Sequence, residues 1–376
     1  MTAGSTGEDR CTAAIASLGT SAGRLGRLLA WRTPEEAWAA LRAGHHPADP
    51  EGSFRTKATA ERLARIGAAC EACGVRVLRR GSPGYPPALV GDGSGPAVLF
   101  ALGDPAPAET RPRVALVGTR SASAYGLGVA TQWGRQLAEA GVTVVAGLAR
   151  GVDAAAHEGA LAGGTAPVLG ILGTAPDAAA SRADRLLRGA VADRGAVLSE
   201  LPPGAGGAAW RFAARNRITA ALAHVVVVVE AHRGSGCLGV ARAAEERDIT
   251  VGVVPGSIRN PASAGANQLL ADGYGAVVLG VEDVLTAVDL AIARDAAAVA
   301  PTRVPEPQTA RKRQPAPSAV AARVRLALDG DPVPLDVLIR RTGLPMGQVA
   351  LGLEHLAGAG MAVGEQGWWS LPQGSG

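Results

Sequence analysis

The chain has 376 residues, 47% apolar, 19% charged and 3% aromatic, with 51 glycines and 25 prolines. That is the composition of a soluble globular protein of two to three domains, and it excludes a single small module. The formal net charge of +4 is carried by arginine everywhere except Lys57 and Lys312, and it permits a nucleic-acid or phosphate partner without demanding one.

Four cysteines, Cys11, Cys70, Cys73 and Cys237, are too few and too scattered for a disulfide scaffold, so a reducing, cytoplasmic setting is expected. Cys70 and Cys73 form one CxxC, but zinc needs further ligands at comparable spacing and none follow. Neither a metal nor another cofactor is expected. The longest aliphatic run, Val225 to Val229, is far short of a membrane span, and no basic segment leading into an apolar one opens the chain. No membrane partner is expected.

In chain order, residues 1–80 read as a small helical domain, with apolar positions at helical spacing in Ala13 to Ala30 and Glu35 to Leu41. A Pro/Gly-rich passage, Gly81 to Gly95, leads into a strand at Ala97 to Phe100. From Arg113 short apolar runs alternate with stretches of helical length. Strands are expected at Val114–Val117, Val142–Ala146, Val168–Leu172, Ala196–Leu201, His224–Glu230, Val251–Val254 and Ala276–Leu279. They are apolar throughout, as burial on both faces requires, which predicts an α/β domain over 81–294 built on a doubly wound, Rossmann-like parallel sheet. Residues 295–317, rich in Pro, Arg and Ala, read as a flexible linker. Over 318–372, three helical patterns and a hairpin around Glu365-Gln366-Gly367 predict a C-terminal winged helix.

In such a sheet ligands bind beyond the C-terminal strand ends. The first strand of the alternating pattern runs into Gly118-Thr119-Arg120-Ser121-Ala122-Ser123 and then a helix. Gly118 allows close backbone approach, Ser121 and Ser123 supply hydroxyls or an N-cap, the helix start favours an anion, and Arg120 adds a bidentate phosphate contact. Neither a GxGxxG directly after the strand nor a Gly-Lys-Ser/Thr sequence is present, so dinucleotide and P-loop sites are not expected. The next turn carries Arg150, a second phosphate candidate, followed by Asp153 and His157; these read as a helix cap with a hydrogen-bonded histidine rather than an acid–base pair. In Trp210-Arg211-Phe212-Ala213-Ala214-Arg215-Asn216-Arg217, aromatic and guanidinium groups interleave as single-strand binders use them, although a helix with a core Phe212 and solvated arginines fits equally. Glu230-Ala231-His232-Arg233-Gly234-Ser235-Gly236 offers another anion-accepting turn, with Glu230 expected to pair with an arginine.

The phrases GTRSASAYG (118–126), AGLARGVDAAAH (146–157), VLSELPPG (197–204), FAARNRI (212–218), VVVEAHRGSG (227–236) and VPGSI (254–258) resemble, in order, the DNA-processing protein A (DprA/Smf) family of bacteria. A helical N-terminal domain and a C-terminal winged helix also occur in that family. The resemblance implies a protein without catalytic turnover that binds single-stranded DNA irrespective of sequence. It further implies protection of incoming DNA, help in loading the recombinase RecA during natural transformation, and action as a dimer. Carried over by position, Arg120 and Phe212 belong to the family's DNA-contacting pocket, and Arg215, Asn216, Arg217, Ser235 and Gly236 match its phrases. With Gly118, Ser121, Ser123 and Arg150 these make the candidate DNA-binding set.

Two departures stand out. The family's Ser-Gly-Ser-Leu-Ile-Thr-like run reads Ser235-Gly236-Cys237-Leu238-Gly239-Val240 here, and the loop Gly173 to Arg182 lacks the usual Tyr-Pro. The expected recognition helix of the winged helix, Met346 to Ala357, contains no Arg or Lys and only Gln348, Glu354 and His355 as polar side chains, which predicts a protein–protein or structural role for it. The rival function is a Rossmann-like nucleotide phosphoribohydrolase; such enzymes carry a PGGxGT loop where this chain reads RGSGCLG (233–239).

Overall fold

The computed structural model describes residues 6–109, 111–179, 181–206, 209–299, 319–328, 333–358, 361–365 and 368–371. The chain divides into two compact units, residues 1–301 and 302–376.

The first unit opens with helices α1 (Gly7–Ala16), α2 (Ala22–Leu29), α3 (Pro34–Ala43) and α4 (Ala60–Ala72). Thr6, Ser21, Thr33 and Thr59 cap them, each hydroxyl accepting from the amide three residues on, which satisfies one of the orphan N–H groups of a helix start. Their apolar faces bury Ile15, Leu28, Trp38 and Leu41 in one cluster with Val98 and Phe100, so these helices share a core with the edge of the sheet.

The sheet elements follow in order: β1 (Arg76–Arg79), α5 (Pro87–Val90), β2 (Val98–Gly103), α6 (Ala106–Glu109), β3 (Arg113–Gly118), α7 (Ala124–Glu139), β4 (Thr143–Ala146), α8 (Val152–Gly163), β5 (Val168–Leu172) and α9 (Arg182–Arg194). Then come β6 (Ala196–Ser199), α10 (Ala209–Ala221), β7 (Val225–Glu230), α11 (Leu238–Glu245), β8 (Thr250–Val253), α12 (Ala264–Ala271), β9 (Ala276–Val277) and α13 (Val281–Val299). The strands pair in the order β1-β2-β6-β5-β4-β3-β7-β8-β9. From β6 to β9 all pairings are parallel, and β4 to β7 are buried along their whole length, as their uninterrupted apolar runs require.

The expected all-parallel sheet is extended by an antiparallel pair. The lead-in strand β2 lies antiparallel to β6, and β1, which the sequence reading did not place, pairs antiparallel with β2. The chain passes from β1 to β2 through residues 80–97, whose only helix is the four-residue α5, so no helix crosses the sheet to set the two strands parallel. The order reverses between β3 and β7, which makes this the switch point of the sheet. There the β3–β7 register slips between Val117 and Gly118, so that Gly118 faces Glu230.

Helix α13 continues past residue 294 to Val299, and the expected linker residues 300–317 lie outside the described residues. In the second unit α14 (Ala319–Ala327), β10 (Val333–Pro334), α15 (Leu335–Thr342), α16 (Met346–Gly358), β11 (Val363–Glu365) and β12 (Trp368–Ser370) build three helices and a small sheet in the order β10-β12-β11. Val324, Leu338, Val349, Leu353 and Leu356 are its core. The hairpin forms where the sequence placed it. Its turn residues Gln366 and Gly367, the end of the predicted domain at 372, and the side chains of Glu354 and His355 lie outside the description.

Candidate nucleic-acid interface

Five loops project from the C-terminal ends of β3 to β7. The loop after β3 is fixed to its neighbours through backbone: Thr119 N–H donates to the Glu230 carbonyl at 2.7 Å, and Val152 N–H donates to the Thr119 carbonyl at 3.3 Å. Thr119 is buried, and its hydroxyl accepts from Ser121 N–H at 3.2 Å, which turns Arg120 and Ser121 outward. Gly118 is half-buried beneath Val152 and the Glu230 backbone.

Ser123 does not point at a ligand. It caps α7, accepting from Gly126 N–H, while its own N–H and hydroxyl donate to the Glu230 carboxylate at 2.8 and 2.7 Å. That carboxylate also accepts from Asn260 Nδ2 at 3.1 Å and Ser263 Oγ at 3.5 Å. The anion expected at the start of α7 is therefore the protein's own. The arginine partner expected for Glu230 is not found among the described residues, because hydroxyl and amide donors take both its oxygens.

The loop after β4 holds backbone strain. Leu148 has φ 56, a left-handed conformation costly for a residue with a branched side chain, and Gly151 has φ 83. Between them Arg150 is exposed, and its side chain bonds to no group among the described residues. Gly147 carries no side chain because the guanidinium of Arg215 and the Asp153 carboxylate lie over its Cα; a Cβ there would stand about 2.4 Å from Asp153 Oδ2. Arg215 and Asp153, both buried, approach at 4.0 Å. Burial pushes the Asp153 carboxyl up and the Arg215 guanidinium down, and each opposes that shift in the other.

Asp153 is not the expected helix cap. Gly151 holds that position, and Asp153 instead lies beside Arg215, whose charge and the nearby backbone of Ala149, Gly118 and Gly147 favour its ionised form against burial. His157, one turn on, is fully buried, and neither ring nitrogen has a hydrogen-bond partner among the described residues. Burial lowers its pKa to about 4, so the imidazole is neutral at neutral pH.

Helix α10 divides its polar residues between two faces. Phe212 sits in its first turn, half-buried, packed where Gly173 after β5 has no side chain. The Arg120 guanidinium lies over the Phe212 ring, 4.7 Å from its centre. Arg120 is exposed and otherwise unpartnered, and it stands close enough to Arg215 to lower the latter's pKa. Asn216, buried, donates from Nδ2 to the Gly236 carbonyl at 2.8 Å, tying α10 to the loop after β7. Arg217 points away from this group: it forks onto the Glu200 carboxylate at 2.7 and 2.5 Å and donates to the Ser94 carbonyl at 2.8 Å.

In the loop after β7, Gly236 and Arg233 are exposed, and Ser235 is half-exposed, its hydroxyl 3.1 Å from Cys237 Sγ. Burial pushes that thiol up to about 11, which keeps it protonated. Val240, the departure from the family's hydroxyl, is buried in the core. The loop after β5, where the Tyr-Pro is missing, is pinned instead by Asp177, whose carboxylate accepts Gly204 N–H at 2.9 Å.

Of the predicted set, the fold thus brings Arg120, Phe212 and Arg215 together, with Arg120, Ser121, Arg150 and Gly236 open to solvent. It engages Ser123, Arg215 and Asn216 internally and turns Arg217 to another face. The sequence reading overlooked that residues two apart on a helix face nearly opposite ways, which already separates Arg215 from Arg217. It also missed Gly147 and Gly173, whose place directly after apolar strands is the signal that a side chain packs over the strand end.

The family model described as DNA recombination-mediator protein A matches residues 76–289, and the DprA winged helix domain matches residues 307–356. The chain belongs to the DprA family. A DprA-family Smf protein of Synechocystis is 33% identical over 316 residues, covering 76% of this chain and 77% of that protein. The putative DNA processing protein DprA of Mycobacterium tuberculosis is 41% identical over 182 residues, covering 48% of this chain and 46% of that one. The chain thus spans about half the length of this relative, and the same holds for the Smf protein of Escherichia coli, at 50%. DprA of Streptococcus pneumoniae superposes with a TM-score of 0.59 at 28% identity, covering 73% of this chain and 95% of that one. Helicobacter pylori DprA, solved in work on its single-stranded DNA binding mode, gives 0.51 at 26% identity over 59% of this chain and 96% of its own. The fold and family expected from the sequence are thereby established. Among the described residues, no helix is long and apolar enough to cross a membrane.

Proposed function

We propose that this member of the DprA family is a sequence-independent single-stranded DNA-binding protein that protects incoming DNA and helps load the recombinase RecA, acting as a homodimer in the cytoplasm and without catalytic turnover. The observation that carries the reading is Arg120 over the Phe212 ring with no ion-pair partner among the described residues. An aromatic face with an unneutralised guanidinium takes a base and its phosphate together, and it does so for any base. Arg150, Ser121 and the exposed Ser235–Gly236 turn extend the contact along the sheet edge, while Gly118, Ser123, Arg215, Asn216 and Arg217 shape and hold the loops. The saturation of Glu230 supports binding over nucleotide hydrolysis, which would need a free carboxylate at that turn. RecA loading and the dimer rest on family membership.

The test is fluorescence anisotropy of labelled oligo(dT) with wild type and Arg120→Ala at two salt concentrations. Binding that weakens with salt, and a loss in the variant of about 1 to 3 kcal/mol, is the expected result. Binding indifferent to both salt and Arg120 would overturn the assignment.

A further inference from the structure

Away from the sheet edge, a cleft of about 670 Å3 opens between α2 and the end of β1. It is lined by α2, with Gly23 and Gly26 among its residues, by Arg79 and Arg80, by the segment 93–97 and by Arg217 of α10. Three guanidinium groups clamp that segment. Arg217 donates to the Ser94 carbonyl, Arg80 to the Gly95 and Pro96 carbonyls, and Arg247 to the Asp92 carboxylate at 3.1 Å. The wall is preorganised.

The charges on this cleft do not balance. Glu200 neutralises Arg217, but Arg80 has no ion-pair partner among the described residues, standing beside the Tyr85 hydroxyl and the Gly95 and Pro96 carbonyls, and the side chains of Arg27 and Arg79 bond to nothing among the described residues. Among the described residues, no carboxylate lines the cleft. Three uncompensated cations converging on one concavity raise the local concentration of anions there. The volume falls within the range of small-ligand sites, roughly 300–1,000 Å3. No aromatic side chain lines it, so a stack of bases has no platform and the phosphate must be the group recognised.

We propose that this cleft is a second phosphate-ester site, which takes one nucleotide unit by its phosphate through Arg27, Arg79 and Arg80 and lays the rest against the small residues of α2. The nucleotide comes either from the strand held at the sheet edge or from solution as a free mononucleotide; only the first source rests on the function proposed above.

The full chain and its Arg27→Ala/Arg79→Ala variant are titrated with dTMP by calorimetry, and with short and long labelled oligo(dT) by anisotropy over a salt series. A free-nucleotide site predicts dTMP binding that weakens about tenfold or more in the variant, with DNA binding unchanged. A strand site predicts that the salt slope on the long oligonucleotide drops by about 0.7, the value of the one phosphate the cleft takes, with the short one unaffected. Either result supports the site. Wild type that binds no dTMP, together with identical slopes for both proteins, overturns it. Arg27→Glu, on the exposed face of α2, repeats the experiment should the double variant melt early. Arg120→Ala, run in parallel, keeps the two readings apart. If wild type binds no oligonucleotide the edge assignment fails, and the dTMP titration still decides the cleft.

Discussion

The two halves of the sheet's C-terminal edge are built from the same parts and do opposite things. At the switch point a Gly/Ser turn and a helix start face Glu230, whose carboxylate takes the Ser123 N–H, the Ser123 hydroxyl and the Asn260 amide. Beside it, Arg120 of the same turn lies over Phe212, and Arg150 stands on the glycine-rich turn after β4, each without an ion-pair partner among the described residues. The motif alone does not make an anion site. What decides is whether the chain supplies the anion itself, and here it closes one half and leaves the other positive.

The same division runs through the arginines, and removing them one at a time separates the classes. Arg215→Ala leaves the Asp153 carboxylate buried without its cation, and breaking a buried pair in this way costs about 3–5 kcal/mol. Urea denaturation should show that loss. Arg120→Ala removes an exposed cation–π contact and should cost stability about 1 kcal/mol or less. Equal effects on stability at the two positions would erase the distinction between holding and binding arginines.

The ground under the Arg150 loop can be tested through His157. Its pKa in the folded protein, about 4, lies below the ordinary 6.5, so between these values the folded state binds fewer protons than the unfolded chain. The stabilising contribution is therefore complete above about pH 6.5 and is lost as pH falls toward 4, amounting to about 3 kcal/mol over that window. His157→Leu should flatten this part of the stability curve relative to wild type. Because the ring leaves no hydrogen bond behind, the variant should be no less stable at neutral pH. A parallel pH dependence in both proteins would mean that water reaches α8 beneath the loop.

Much of this was legible in the residues. Seven unbroken apolar runs with helical intervals fixed the sheet, and the Gly-Thr-Arg turn marked its working edge. The antiparallel β1–β2 pair was not legible in full, because Arg76–Arg79 holds only two adjacent apolar residues between two arginines, neither an alternating nor an unbroken apolar run. Nor was the sorting of arginines, since a guanidinium beside an acid in space, as Arg217 is to Glu200 or Arg215 to Asp153, is separated from it by 17 and 62 residues of sequence. The free cations Arg27 and Arg79 escaped for the converse reason: each sits in an unremarkable amphipathic run, and only the folded cleft brings them together.

The smallest expected effect is at Arg150. Leu148 in its left-handed conformation costs about 1 kcal/mol or more in backbone strain, and beside it the exposed Arg150 side chain makes no hydrogen bond or ion pair with any of the described residues. The turn packs Leu148 over Gly170 and leaves the Arg150 side chain to solvent, where an outside phosphate can reach it. Arg150→Ala should leave the urea midpoint unchanged, lower affinity for oligo(dT) by about 1 kcal/mol and flatten the salt slope by about 0.7, the value of one phosphate on a single strand. If the slope stays as in wild type while Arg120→Ala flattens it, the phosphate path runs from Arg120 toward the Ser235–Gly236 turn rather than over the β4 loop, and the open half of the edge is narrower than its unpaired charges imply.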